Sequence, residues 1–229
     1  MQLYYEISRL FKNILLTKGG GILKIDVEVV TGFLGYGKTS FINALLKESQ
    51  VDGERVLIIQ MEYGNKKIYE INDINYPVKI MKADDMKDLR KCFDDEIIKF
   101  KPNRIIIEFN GTDNLDNLRK IFLEKNLRKK MKLSTVYFVG DGRTLLKNID
   151  NLGYYIVPFI KNADMMIINN TAEVEKEDMT KEINQLRGFN QKAFILQVDN
   201  RFNLCSRLRK SKVLDNGFIK KLKVRFMNL

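Results

Sequence analysis

Histidine is absent from the 229 residues, and cysteine occurs only twice, at Cys92 and Cys205. Without histidine the chain forms no imidazole metal site, no Ser-His-Asp triad and no Cys-His dyad. Two separated thiols without CxxC spacing make no disulfide framework and at most a weak thiolate site. A metal held by this chain alone is therefore expected to be an oxygen-liganded one such as Mg2+. No apolar run approaches the roughly 18 residues needed to span a bilayer. No long apolar stretch followed by a small-residue cleavage site opens the chain. The composition, 45% hydrophobic and 30% charged, suits a folded globular domain, and a cytoplasmic location is the expectation.

The net charge of +11 is unevenly spread. Residues 204–229 carry eight Lys/Arg against one acid, and residues 1–24 carry four against one. Residues 25–203 are nearly balanced, with 28 basic and 27 acidic residues. A basic end can meet an acidic partner, RNA or an anionic membrane surface; a solvated lysine-rich end is the plainer reading. Neither aromatic stacking platforms nor groove-reading motifs accompany the charge, so nucleic acid is not an expected partner.

Residues 3–15 place Leu3, Ile7, Leu10 and Ile14 at helical spacing, and Gly19-Gly20-Gly21 ends the pattern. This amphipathic extension, residues 1–24, either packs on the domain, docks on a partner, or precedes a natural start near Leu23. From residue 25 strand-like and helix-like segments alternate. Strands are predicted at 25–30, 56–61, 104–109, 135–140, 165–169 and 193–198. Helices are predicted at 38–48, 85–100, 114–127, 153–162 and 174–187, with Pro158 a kink or a first turn. Short apolar runs separated by such helices imply an α/β fold with a mostly parallel sheet covered on both faces. Residues 25–203 form this domain, and residues 204–229 a basic C-terminal segment too short for a second one.

Between the first strand and the first helix stands Thr31-Gly32-Phe33-Leu34-Gly35-Tyr36-Gly37-Lys38-Thr39-Ser40, a complete Walker A loop. Gly32, Gly35 and Gly37 let the backbone turn its N–H groups inward at phosphate oxygens, and the helix start adds positive partial charge. Lys38 is placed to reach the β- and γ-phosphates, and the Thr39 hydroxyl to bind Mg2+. Glu62 and Glu108 follow strand ends. A carboxylate near a triphosphate needs a cation between them, so both are candidates for the metal shell or for orienting the attacking water. Asp141 is a weaker candidate of the same kind. Tyr36 and Ser40 belong to the loop; the resemblance of this loop to P-loop GTPases that pair across the nucleotide implies that, with Asn110, they would touch a second copy of the chain. The loop holds no arginine, so intrinsic turnover is expected to be slow. Arg143, a partner or a second subunit would have to supply one.

These residues resemble the CobW-like P-loop GTPases. TGFLGYGKTS is similar to that family's TGFLGxGKTT, Met61-Glu62-Tyr63-Gly64 to its NEFG, and Ile107 through Gly111 to its IETTG. Phe138 through Asp141 resembles its VVDA stretch, and Ala163 through Thr171 the stretch ending in the base-recognition motif NKxD. The order holds from about residue 25 to about residue 200. The resemblance implies Mg2+-dependent GTP binding and hydrolysis in the service of a client metalloprotein or corrinoid protein. Three departures stand out. The family's CxCC segment has no counterpart, since residues 65–107 contain only Cys92. In the base motif Asn169 keeps its place, but Asn170 replaces Lys and Ala172 replaces Asp, with Glu173 one residue further on. The family's second domain has no counterpart before residue 229. ATP therefore stays open as a nucleotide, as does a nucleotide-dependent binding module with little turnover.

Overall fold

The computed structural model describes residues 24–62, 74–111, 113–214 and 217–228. The amphipathic extension and the Tyr63-Gly64 pair lie outside these residues. Among them, seven strands form one sheet in the order β3-β2-β4-β1-β5-β6-β7, with every pairing parallel. The strands are β1 (Ile25–Thr31), β2 (Val56–Gln60), β3 (Val78–Lys82), β4 (Arg104–Glu108), β5 (Met131–Asp141), β6 (Met165–Asn169) and β7 (Phe194–Gln197). Parallel strands need crossovers, and helices supply them: α1 (Lys38–Glu48), α2 (Met86–Lys99), α3 (Leu115–Leu123), the single turn α4 (Leu127–Lys130), α5 (Leu145–Asn162) and α6 (Lys176–Phe189). Two more helices follow, α7 (Leu204–Ser211) and α8 (Phe218–Met227).

The central strands β2 and β4 are buried on both faces, which is why residues 56–59 and 105–107 read as continuous aliphatic runs. The edge strands β3 and β7 are half exposed, and Lys79 and Lys82 on β3 protect that edge from further pairing. Helix starts are set by polar side chains. Asp85 accepts from the N–H groups of Lys87 and Asp88 at 2.7 and 2.8 Å, and Asn114 from that of Asp116 at 2.8 Å.

Three sequence expectations need correction. β3 has no counterpart in the sequence reading, because VKIMK alternates with lysine and is too polar to read as a core strand. The helix predicted at 153–162 begins at Leu145 and bends at Leu152, where the backbone leaves helical values (φ −129°, ψ 23°), and not at Pro158. Gly153, a weak helix former, follows the bend. The helix predicted at 114–127 stops at Leu123.

Residues 204–228 carry two helices with buried faces: Leu204 and Leu208 on α7, Leu222 and Val224 on α8. Arg209 clasps Glu48 with two bonds of 2.8 Å. α8 closes the end of the sheet where the central strands begin. There Arg104 donates to Glu28 at 2.9 and 2.7 Å and to Ser49 Oγ at 2.7 Å. Lys220 pairs with Glu54 at 3.1 Å, and Lys223 with Asp26. Burial lowers the Lys220 ammonium, aided by the neighbouring Arg104 charge.

Candidate nucleotide site

At the opposite end of the sheet, β1 emerges between β4 and β5. Ligands of open parallel sheets gather beyond such carboxyl ends. The glycine-rich loop lies here. Gly32 has φ 137°, and a side chain there would place its Cβ 2.1 Å from the Val139 carbonyl oxygen. Gly37 stands at the start of α1 with φ 96°, with no side chain capping the helix and no acid in the first turn. The first N–H groups of α1 have no intrahelical acceptor, so this terminus is prepared for an anion.

Lys38 is buried. Its ammonium donates to the carbonyls of Gly32 at 2.7 Å and Phe33 at 3.0 Å, and pairs with Glu62. The Thr39 hydroxyl donates to Glu108 Oε1 at 2.6 Å, while Glu108 Oε2 accepts from Gln60 Nε2 at 2.7 Å. The register explains this meeting, since Glu108 is opposite both Val30 and Gln60 at the strand ends. Lys38, Thr39, Glu62 and Glu108 therefore form one cluster beneath the loop. Gln60 escaped the sequence reading; its only signal is an amide ending an otherwise apolar strand. The hydroxyl and two carboxylates are hard oxygen donors, a set that fits Mg2+ and not a soft metal.

The other side of the loop faces β5 and β6. Asn169 donates to the Tyr36 carbonyl at 2.8 Å, and its own Oδ1 is buried without a hydrogen-bond partner among the described residues. The buried Tyr36 ring reaches α5, where Asn148 donates to its hydroxyl. A cavity of about 330 Å3 opens here, with Gly35, Gly37, Ser40, Arg143, Asn169 and Glu173 among its lining residues. That volume is at the lower end of small-molecule sites. Asp141 and Arg143 lie on this side, away from the Thr39–Glu108 pair. Arg143 donates to Asp141 at 2.9 and 2.6 Å and to Glu173 at 3.2 Å. Burial alone would raise the Asp141 carboxyl, but hydrogen bonds from Arg143 and Asn170 outweigh it and hold it below the ordinary aspartate range. The bonds from Arg143 to Asp141 and Glu173 raise its guanidinium further.

Residues 26–197 match the family described as CobW/HypB/UreG, nucleotide-binding domain. The chain belongs to this family. A curated relative, zinc-regulated GTPase metalloprotein activator 1 of Schizosaccharomyces pombe, is 27% identical over 177 residues, which cover 68% of this chain and 41% of that protein. Among solved structures, the Zn(II)-bound YjiA GTPase of E. coli aligns with a TM-score of 0.59 at 20% identity, over 75% of this chain and 57% of that one. The hydrogenase maturation factor HypB of Archaeoglobus fulgidus aligns with a TM-score of 0.52 at 13% identity, over 92% and 99%. These structural likenesses establish the shared fold. The chain spans about two fifths of the curated relative's length.

The CobW/HypB/UreG assignment accounts for the loop and the strand order. Among the described residues no cluster of three His, Cys, Asp or Glu side chains is placed to hold a metal. Cys92 is buried on α2, and burial raises its thiol. Among those residues, too, no helix is long and apolar enough to cross a membrane.

Proposed function

We propose that this chain binds GTP with Mg2+, hydrolyses it slowly, and uses the cycle to serve a client metalloprotein or corrinoid protein. The observation that carries the proposal is the convergence of Lys38, Thr39, Glu62 and Glu108 beneath a loop whose helix start is left uncapped. Lys38 exchanges Glu62 for the β- and γ-phosphates, while the Gly32 and Phe33 carbonyls keep its ammonium in place. Thr39 and Glu108 hold the metal, and Gln60 fixes the carboxylate that does so. Glu62, released from Lys38, orients the attacking water. Mg2+, when bound, supplies the charge that offsets the phosphate oxygens. The client role is supported by the name of the S. pombe relative, an activator of metalloproteins.

A second reading, a nucleotide-dependent binding module with little turnover, is favoured by one observation: Arg143 is engaged by Asp141 and Glu173 on the far side of the loop. Calorimetric titration with GTP and ATP, each with Mg2+, followed by single-turnover hydrolysis, separates these readings. GTP at about 100 times its dissociation constant should add roughly 2.7 kcal/mol of stability, and Lys38→Ala should abolish that gain. Preference for ATP would remove the guanine assignment, and binding that survives Lys38→Ala would remove the phosphate assignment. Tight GTP binding without turnover would favour the second reading.

A further inference from the structure

The base side of the loop lacks the aspartate that the family's base motif supplies, because the exposed Ala172 stands in its place. What occupies the space is a charged pair from two separate strand ends. Beyond β6, Asn170 adopts a left-handed conformation (φ 58°) and begins a short 3-10 turn, Thr171–Glu173. That turn carries the Glu173 carboxylate to the cavity wall. At the end of β5, Asp141 is buried and grips Arg143 through two guanidinium nitrogens and its backbone N–H, and also accepts from Asn170 Nδ2 at 2.9 Å. Arg143 then reaches Glu173 Oε2 through Nη1 at 3.2 Å. Asp141 and Asn170 thus position both members of the pair. The Arg143 and Glu173 side chains are 47% and 57% exposed, so both are reachable from the cavity.

The pair keeps hydrogen-bonding capacity. A guanidinium has five N–H groups, and three are engaged in these bonds. Glu173 uses only Oε2 in its bond to Arg143. A cationic donor therefore sits beside an anionic acceptor. Guanine presents the complementary edge: O6 accepts, and N1–H and the 2-amino group donate. Adenine presents the reverse, an amino group where guanine has O6 and a lone pair where guanine has N1–H, so donor would face donor and acceptor would face acceptor.

On the basis of the GTP reading above, we infer that Arg143 and Glu173 together read the guanine base, Arg143 donating to O6 and Glu173 accepting from N1–H and the 2-amino group. They replace the single missing aspartate by a donor–acceptor couple. Unpaired polar groups facing the wrong base give strong discrimination in closed sites; the half-exposed pair gives less, on the order of a hundredfold for GTP over ATP.

The test measures dissociation constants of the full chain for GTP, ATP and xanthosine triphosphate, with Lys38→Ala as the phosphate control. Glu173→Gln should weaken GTP at least about tenfold and strengthen xanthosine triphosphate, because the glutamine amide donates to the 2-oxo group. A gain of binding does not arise from misfolding. Arg143→Met should lower the GTP:ATP ratio by about tenfold while leaving dependence on Lys38 intact. If GTP binding needs Lys38 but Glu173→Gln leaves the ratio of GTP to xanthosine triphosphate unchanged, this inference is overturned and the phosphate reading survives. Wild-type preference for ATP overturns it as well. If the wild type binds no triphosphate, both fail together.

Discussion

Glu182 is buried on α6, with 0% exposure, and neither carboxylate oxygen has a hydrogen-bond partner among the described residues. Burial, reinforced by the nearby Asp141 charge, pushes its carboxyl up from 4.5 to about 8. Replacing it with glutamine should flatten the pH dependence of stability between pH 6 and 8. Over most of that range the native carboxyl keeps its proton, whereas the unfolded chain, titrating near 4.5, has lost it. Unfolding then releases a proton, so stability falls as pH rises, fully retained below about 4.5 and lost by about 8. One proton corresponds to about 1.4 kcal/mol per pH unit, or roughly 2.7 kcal/mol between pH 6 and 8, less about 0.4 kcal/mol because the native carboxyl itself begins to ionise near pH 8. Local relaxation and water entry reduce this to about 1 kcal/mol. Urea unfolding midpoints at pH 6, 7, 8 and 9 measure the effect, and the m-values check that the cooperative transition is unchanged. The wild type should lose about 1 kcal/mol more than Glu182→Gln from pH 6 to 8. Parallel curves for the two proteins would refute the assignment of a neutral carboxyl to this position.

Gly32→Ala should lower stability by roughly 3 kcal/mol or more. The added methyl meets the rigid Val139 carbonyl, and a thermal melt would show the loss. Lys220→Met should cost about 3 kcal/mol, because Glu54, 1% exposed, would keep, among the described residues, only Arg104 at 3.8 Å as a cation. A melting temperature within a degree or two of wild type would count against that ion cluster's role.

The central sheet could be read from the sequence because its strands are buried on both faces, and VLIIQ and RIIIE show that burial as uninterrupted apolar runs. β3 could not, since one face of an edge strand meets water and its lysines obscure the pattern. The glycine-rich loop was accessible for a local reason: Gly32 through Ser40 is contiguous, and its form depends on backbone turns and one helix start. Glu62 and Glu108 were accessible as acids at strand ends. Gln60 needed the register, which places it beside Glu108 only when β2 and β4 pair. The side of the loop that faces β5 and β6 was harder still. Arg143 and Glu173 lie 30 positions apart and meet only because β5 and β6 are neighbours in the sheet. Residues 204–228 looked like a solvated basic segment because the acids that pair with Arg209, Lys220 and Lys223 lie far upstream, at Glu48, Glu54 and Asp26.

That last arrangement bears on how the chain is made. Synthesis proceeds from the amino terminus, and domains begin to fold as they emerge. The phosphate loop, β4 and β5 leave the ribosome long before α8. Until α8 appears, Glu54 and Arg104 lack the lysine that completes their cluster, and the end of the sheet it covers stays wet. The ribosome thus holds a chain whose glycine-rich loop has already emerged while the opposite end of the sheet awaits α8, and a stop codon shortly before Phe218 would release a protein with its charges uncovered.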